Sequence, residues 1–276
     1  MHLHLSTWQE VESYLLRSQG ILIPIGSTEQ HGPNGLIGTD AICPTAIASH
    51  AALQADLLVG PTLALGTAQF NLKFPGTISL RPSTLMRVVE DYVLSLASQG
   101  FQQFYFINGH GGNLATVRSA FQEIYTRYSL KVNESAVPRC RLRSWWQYPE
   151  TNALRQSLYG EKEGAHATPS EVAMAQYAFP EHIKDVSLGT WHPVSLEYLR
   201  NHAEDDHFEA SDHRRRHPDG RIGSDPSLAN PEDGQRLLET AARELLEDYQ
   251  AFLEEKCPPR KQSSSPATCL LCLKIF

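Results

Sequence analysis

The stretch IPIGSTEQHGPNGLIGTD, residues 23–40, ends an apolar run with a carboxylate, an imidazole and a second carboxylate: Glu29, His31 and Asp40. Another imidazole, His110, follows a second apolar run, FYFIN, within NGHGGN. Carboxylate oxygens and imidazole nitrogens are hard-to-borderline ligands, and this set suits Zn, Mn or Fe better than Cu(I) or Ca. In extended chain Glu29 and His31 point the same way. Asp40 has two oxygens and can bridge two ions. Paired ions about 3.5–4 Å apart activate a shared water and polarise a carbonyl. Singly, Glu29 capping a turn and His31 on the surface would be ordinary. Four such residues at two strand ends read together as a metal site.

Something must bring those strand ends together. ILIPI (21–25) reads as a buried strand ending at Gly26. Asp40 is a plausible N-cap for the helix-like AICPTAIASHAALQ. A strand is expected near 57–65, and FPGTISL reads as a turn entering a short strand. Ser83 can cap a helix over 84–98 that Gly100 ends. FQQFYFIN (101–108) is the next strand, with a helix from about 114 to 127 and a strand over 140–146. TPSEVAMAQYAF opens a helix, a polar loop covers about 195–230, and an amphipathic helix closes over 230–255. Strands alternate with helices, so a parallel sheet with helices on both faces is the expected α/β fold. Both polar clusters then fall at carboxyl ends of strands, where such folds place their sites.

Net charge is −7 and composition is 41% hydrophobic over 276 residues, which argues against a nucleic-acid partner. No apolar run reaches the roughly 18 residues that span a bilayer, and no signal-peptide pattern opens the chain. Five scattered cysteines suggest a reducing compartment. The expectation is a cytoplasmic, non-membrane protein with one domain over 1–255. A Pro/Ser-rich tail over 256–276 is expected to be flexible, its CLLC pair being weak metal evidence. HRRRHPDGRIGSDP (213–226) is a basic patch. It reads as a solvated loop, or as a contact for an anionic group of substrate or a neighbouring subunit.

PIGSTEQHGPNGLIGTD, FPGTISL and NGHGGN, in this order, resemble the creatininase (creatinine amidohydrolase) family, over about residues 15 to 250. The resemblance implies a three-layer α/β fold with a mostly parallel central sheet, two divalent metal ions per subunit, and a homo-oligomer, either a hexamer or a trimer of dimers. It implies hydrolysis of a non-peptide C–N bond in a small molecule, such as a creatinine-like cyclic amide. A formamide hydrolase acting on a pyrimidine intermediate of flavin-type cofactor synthesis is the alternative. A non-catalytic oligomeric binding protein of the same fold is a further one.

By motif position, Glu29, Asp40 and His110 would hold one ion, and His31 with the bridging Asp40 the other. Creatininase takes a further acidic ligand two residues after the motif histidine, where this chain has Gly112. The family's later motif, His-Ala-Gly-Glu-x-Glu-Thr-Ser, resembles HATPSEVA (166–173). It makes His166 the proton shuttle and Glu171 the missing ligand. Either could pass a proton to the leaving nitrogen. Backbone N–H groups of GHGGN could stabilise an oxyanion. Asn71, Trp145 and Trp146 fall where the family meets its substrate, although the second pocket tryptophan, expected four residues before His166, is Lys162.

Overall fold

The computed structural model describes residues 1–130, 136–195, 197–198 and 209–255; the expected tail and its CLLC pair lie outside the described residues. Among the described residues, three strands form the sheet: β1 (Gly20–Ile25), β2 (Gln103–Asn108) and β3 (Arg139–Ser144), in that spatial order and all parallel. The register sets Ile25 opposite Asn108, and Asn108 opposite Ser144. All three strands therefore end level, and the chain leaves each at the same edge.

Alternation along the strands builds two cores. Leu22, Tyr105 and Ile107 face α2 (Thr39–Gln54), α6 (Pro169–Ala178) and α8 (Pro231–Glu254). Ile21, Ile23, Ile25, Phe104 and Phe106 face α3 (Pro82–Ala97) and α4 (Leu114–Leu130), with Tyr14 of α1 (Trp8–Leu15) at the margin. The result is the expected three-layer α/β arrangement. No helix among the described residues is long and apolar enough to cross a membrane.

Several boundaries differ from the sequence expectation. The strand expected at 57–65 is reduced to isolated parallel bridges, Val59 to Leu22 and Leu63 to Ile25. Gly60 and Pro61 interrupt the ladder, because proline brings no N–H to it. FPGTISL likewise makes only one antiparallel bridge, Ile78 to Thr28. Asp40 does not cap α2. Gly38 holds that position, and Asp40 sits in the first turn with its side chain free for other work. Arg81, not Ser83, precedes α3, whose first residue is Pro82. The stretch expected as loop contains α7 (Ala210–Arg216), and His213, Arg221, Ser224 and Asp225 are buried. The basic patch is thus partly built into the fold: Arg216 pairs with Asp212 at 2.7 Å, and Arg214 stacks over Phe74 at 4.0 Å. Two helices had no sequence expectation. These are α1, with a Thr7–Glu10 capping box, and α5 (Pro149–Tyr159), with Pro149 in its first turn.

Candidate metal centre

Glu29 and His31 lie in the loop after β1, Asp40 in the first turn of α2, and His110 just after β2. His166 and Glu171 arrive from the start of α6, whose N-cap is Thr168. All six side chains are buried. The strand ends converge because α2 packs its first turn directly against them. A Cβ on Gly109 would lie 2.0 Å from the Asp40 carbonyl oxygen, and one on Gly26 would lie 2.1 Å from it. Only glycine permits that approach, and the approach carries the Asp40 carboxylate to the ends of β1 and β2.

Each imidazole is aimed by a backbone carbonyl. His31 Nδ1 donates to Glu29 O at 3.0 Å, His110 Nε2 to Thr67 O at 2.8 Å, and His166 Nε2 to Gln30 O at 2.8 Å. Carbonyls only accept, so these bonds set the tautomers. The remaining nitrogens face carboxylates. His31 Nε2 is 3.1 Å from Asp40 Oδ1 and 3.8 Å from Glu171 Oε1. His110 Nδ1 is 2.9 Å from Asp40 Oδ2 and 3.3 Å from Glu29 Oε1, while His166 Nδ1 is 3.6 Å from Glu29 Oε1. Both Glu29 oxygens and Asp40 Oδ2 are buried without a hydrogen bond of good geometry.

A neutral imidazole lone pair set against a carboxylate is unfavourable unless a cation lies between them. The donor set therefore fits a divalent ion, with the carbonyl-anchored imidazoles typical of metal ligands. Ligand atoms of Glu29, Asp40 and His110 lie within 4.8 Å of one another, as do those of His31, Asp40 and Glu171. Asp40 belongs to both groups. A third group, Glu29, His31 and His166, meets the same limit.

Before an ion binds, protons do the same work. Burial pushes the His31 imidazolium down, but Asp40, Glu171 and Glu29 outweigh it and lift the pKa to about 10. His110 is raised well above its ordinary value against the same burial, by Glu29 and Asp40. Burial would raise Asp40, yet the two imidazoles hold it below the usual carboxylate range. Glu171 is raised to about 7, chiefly by burial. Burial and the neighbouring His31 keep His166 well below its ordinary value, hence neutral. An ion entering here would have to expel the protons of His31 and His110, so its affinity would fall as pH falls. The affinity is expected to rise about tenfold per pH unit near neutrality at the Glu29, Asp40 and His110 group, and more steeply at the His31, Asp40 and Glu171 group, where Glu171 also gives up part of a proton. Chelator competition at two pH values and proton release in weak buffer measure this. A flat affinity with no proton release would contradict it.

The structure brings Glu29, His31, Asp40, His110, His166 and Glu171 to one place. Position 112 could not supply the acidic ligand, since a Cβ there would lie 2.5 Å from Thr67 O. Glu171 reaches the cluster instead, one oxygen held by Thr168 N at 2.6 Å. Trp145 and Trp146 line a cavity of about 300 Å³ that also exposes Glu29, Asp40, His110, His166 and Glu171. Asn71 does not line it. Its Oδ1 accepts from Gln30 Nε2 at 2.9 Å, and Phe70 holds the wall position instead. Lys162 faces elsewhere, bonded to Asp225 at 2.9 Å.

Sequence reasoning missed the supports. Asn108 Nδ2 donates to His110 O at 2.8 Å, and Asn113 Nδ2 to Gly26 O at 2.9 Å. Gln30 Nε2 donates to Gly220 O at 3.0 Å, tying the 209–225 segment over the site. The two asparagines were visible as the ends of NGHGGN. Nothing local flagged Arg155 and Glu163, which pair at 2.7 Å beside Trp145.

A family profile described as Creatininase: Creatinine amidohydrolase matches residues 4–249. The mycofactocin precursor peptide peptidase of Mycolicibacterium smegmatis is 36% identical over 106 residues, 36% of this chain and 42% of that protein. The creatinine amidohydrolase of Pseudomonas putida is 30% identical over 165 residues, 56% of this chain and 61% of that protein. The chain thus spans about half the length of these curated relatives. A solved creatininase structure whose name specifies Mn superposes with a TM-score of 0.73 at 22% identity, covering 92% of this chain and 99% of that one. The profile runs through every element that builds the site, and the chain belongs to the creatininase family.

Proposed function

We propose that this protein is a metal-dependent amidohydrolase that cleaves an amide C–N bond of a small substrate. The observation that carries this reading is the set of buried imidazole nitrogens and carboxylates facing one another at 2.9 to 3.8 Å, with Asp40 in the middle. Glu29, Asp40 and His110 would hold one divalent ion, and His31, Asp40 and Glu171 a second. Zn, Mn and Fe all suit these donors. Ions bound there lower the pKa of water toward neutrality and polarise a carbonyl oxygen.

The chain's own groups do the rest. His166 is neutral and its Nε2–H is committed to Gln30 O, so Nδ1 is the atom that can take a proton and return it to the leaving nitrogen. Gly111 and Gly112 line the cavity just after His110, in the short 3₁₀ turn Gly111–Asn113 that leads into α4. N–H groups in a first helical turn lack intrahelical partners and suit a developing oxyanion. Trp145 and Trp146 meet at 5.6 Å in an edge-to-face pair and wall the substrate side. The small cavity favours a compact amide or the end of a longer chain. We also propose a homo-oligomer, a hexamer or trimer of dimers, which light scattering would check.

Purified protein is expected to carry about two equivalents of divalent metal. Prolonged chelation should remove hydrolysis of small cyclic amides, formamidopyrimidines or short peptides, and Zn, Mn or Fe should restore it. Undiminished turnover after complete metal removal would sink the reading.

A further inference from the structure

We propose that Arg155, with the indole of Trp145, forms a carboxylate-binding subsite in the cavity wall, so that the substrate is an amide carrying a free carboxylate near the bond that is cut. For the identity of that bond the proposal rests on the hydrolase reading; for binding it stands alone.

Among the described residues, Arg155 is the one lysine or arginine lining the cavity. Its side chain is largely buried, 12% exposed. Nε donates to Glu163 Oε1 at 2.9 Å and reaches Ser170 Oγ at 3.3 Å, Nη2 meets Glu163 Oε1 at 2.7 Å, and Nη1 reaches Asn152 Oδ1 at 3.3 Å. A guanidinium has five N–H donors. Glu163 therefore engages one edge, and donors on the Nη1 and Nη2 groups remain without an acceptor among the described residues. Trp145 supplies the second observation. It lines the same cavity, and the guanidinium lies 5.2 Å from its ring centroid, so the ring steadies the fork from a second side. Buried donors are normally satisfied. The spare guanidinium donors fit a ligand rich in acceptors, and a planar carboxylate matches the guanidinium fork. The Glu163 pairing holds the fork still, which reduces what must be ordered on binding.

N-acetylglycine and N-acetylglycinamide differ at the group in question. Calorimetry on the metal-loaded protein is expected to show the acid binding at least about tenfold tighter than the amide. Arg155→Met alone would strand the buried Glu163, so the double variant Arg155→Met/Glu163→Gln keeps the site neutral. It should bind acid and amide equally, whereas Arg155→Lys should retain part of the preference. In hydrolysed pairs of the same kind, the loss should appear in KM with kcat little changed. Equal binding of the pair by the wild type, or an undiminished preference in the double variant, overturns the proposal, the latter because the bound ions would then be holding the carboxylate. If no amide is hydrolysed while the Arg155-dependent preference persists, the hydrolase reading fails and the subsite stands.

Discussion

Asp40→Asn is expected to lower turnover on the order of 10⁴-fold and to strip the protein of most of its metal, with cooperative unfolding retained. The change is isosteric, so nothing around the first turn of α2 has to move. Chemically it is severe. Asp40 Oδ1 is 3.1 Å from His31 Nε2 and Oδ2 is 2.9 Å from His110 Nδ1, so each oxygen serves a different imidazole. An amide offers one oxygen and one NH2. The NH2 would donate into one imidazole lone pair and occupy the position where a cation is needed, and the shared negative charge would be gone. Elemental analysis and steady-state kinetics on the same preparation test this together. Wild-type metal content with wild-type turnover would show that Asp40 is not shared between two ligand sets.

Gly109→Ala should destabilise the fold by about 3 kcal/mol, whereas Gly111→Ala should leave stability within about 0.5 kcal/mol. The two glycines stand in the same short motif. A Cβ on Gly109 would meet the Asp40 carbonyl oxygen at 2.0 Å and Pro44 Cδ at 2.7 Å, while one on Gly111 meets nothing within 4 Å. The only relief for the first is to push α2 away from the strand ends. That movement also withdraws Asp40, so Gly109→Ala should lose metal affinity along with stability. Urea unfolding midpoints for the pair decide the matter. Matching midpoints would mean that the close approach of α2 is not what holds the site together.

Much of the site was legible because its donor residues sit directly after apolar strands. ILIPI and FYFIN could be read as buried from their composition, and a parallel sheet places the residues that follow such runs at one edge. The tryptophans and the His166–Glu171 segment came from resemblance to a family pattern rather than from periodicity. The errors had local causes. Asp40 looks like a helix cap by residue type, but Gly38 takes that position and releases the carboxylate for the cluster. The 195–230 stretch is polar in composition, yet its described part from 209 includes α7 and residues buried against Gln30 and His166.

The sequence by itself determined the chemistry available: which donors exist, that they follow strands, and that imidazoles and carboxylates of this kind suit divalent ions. Only the tertiary structure decided who faces whom. The level register of Ile25, Asn108 and Ser144 aligns the strand ends, and the backbone of α2 closes against Gly26 and Gly109. Thr67 O crowds any side chain at position 112, and Glu171 joins His31 and Asp40 from the start of α6 instead. Arg155 and Glu163 join the cavity from segments that carry no local signal. Residue type and spacing report on a few neighbouring turns of chain, whereas a ligand cluster depends on contacts between segments many residues apart, which packing alone specifies.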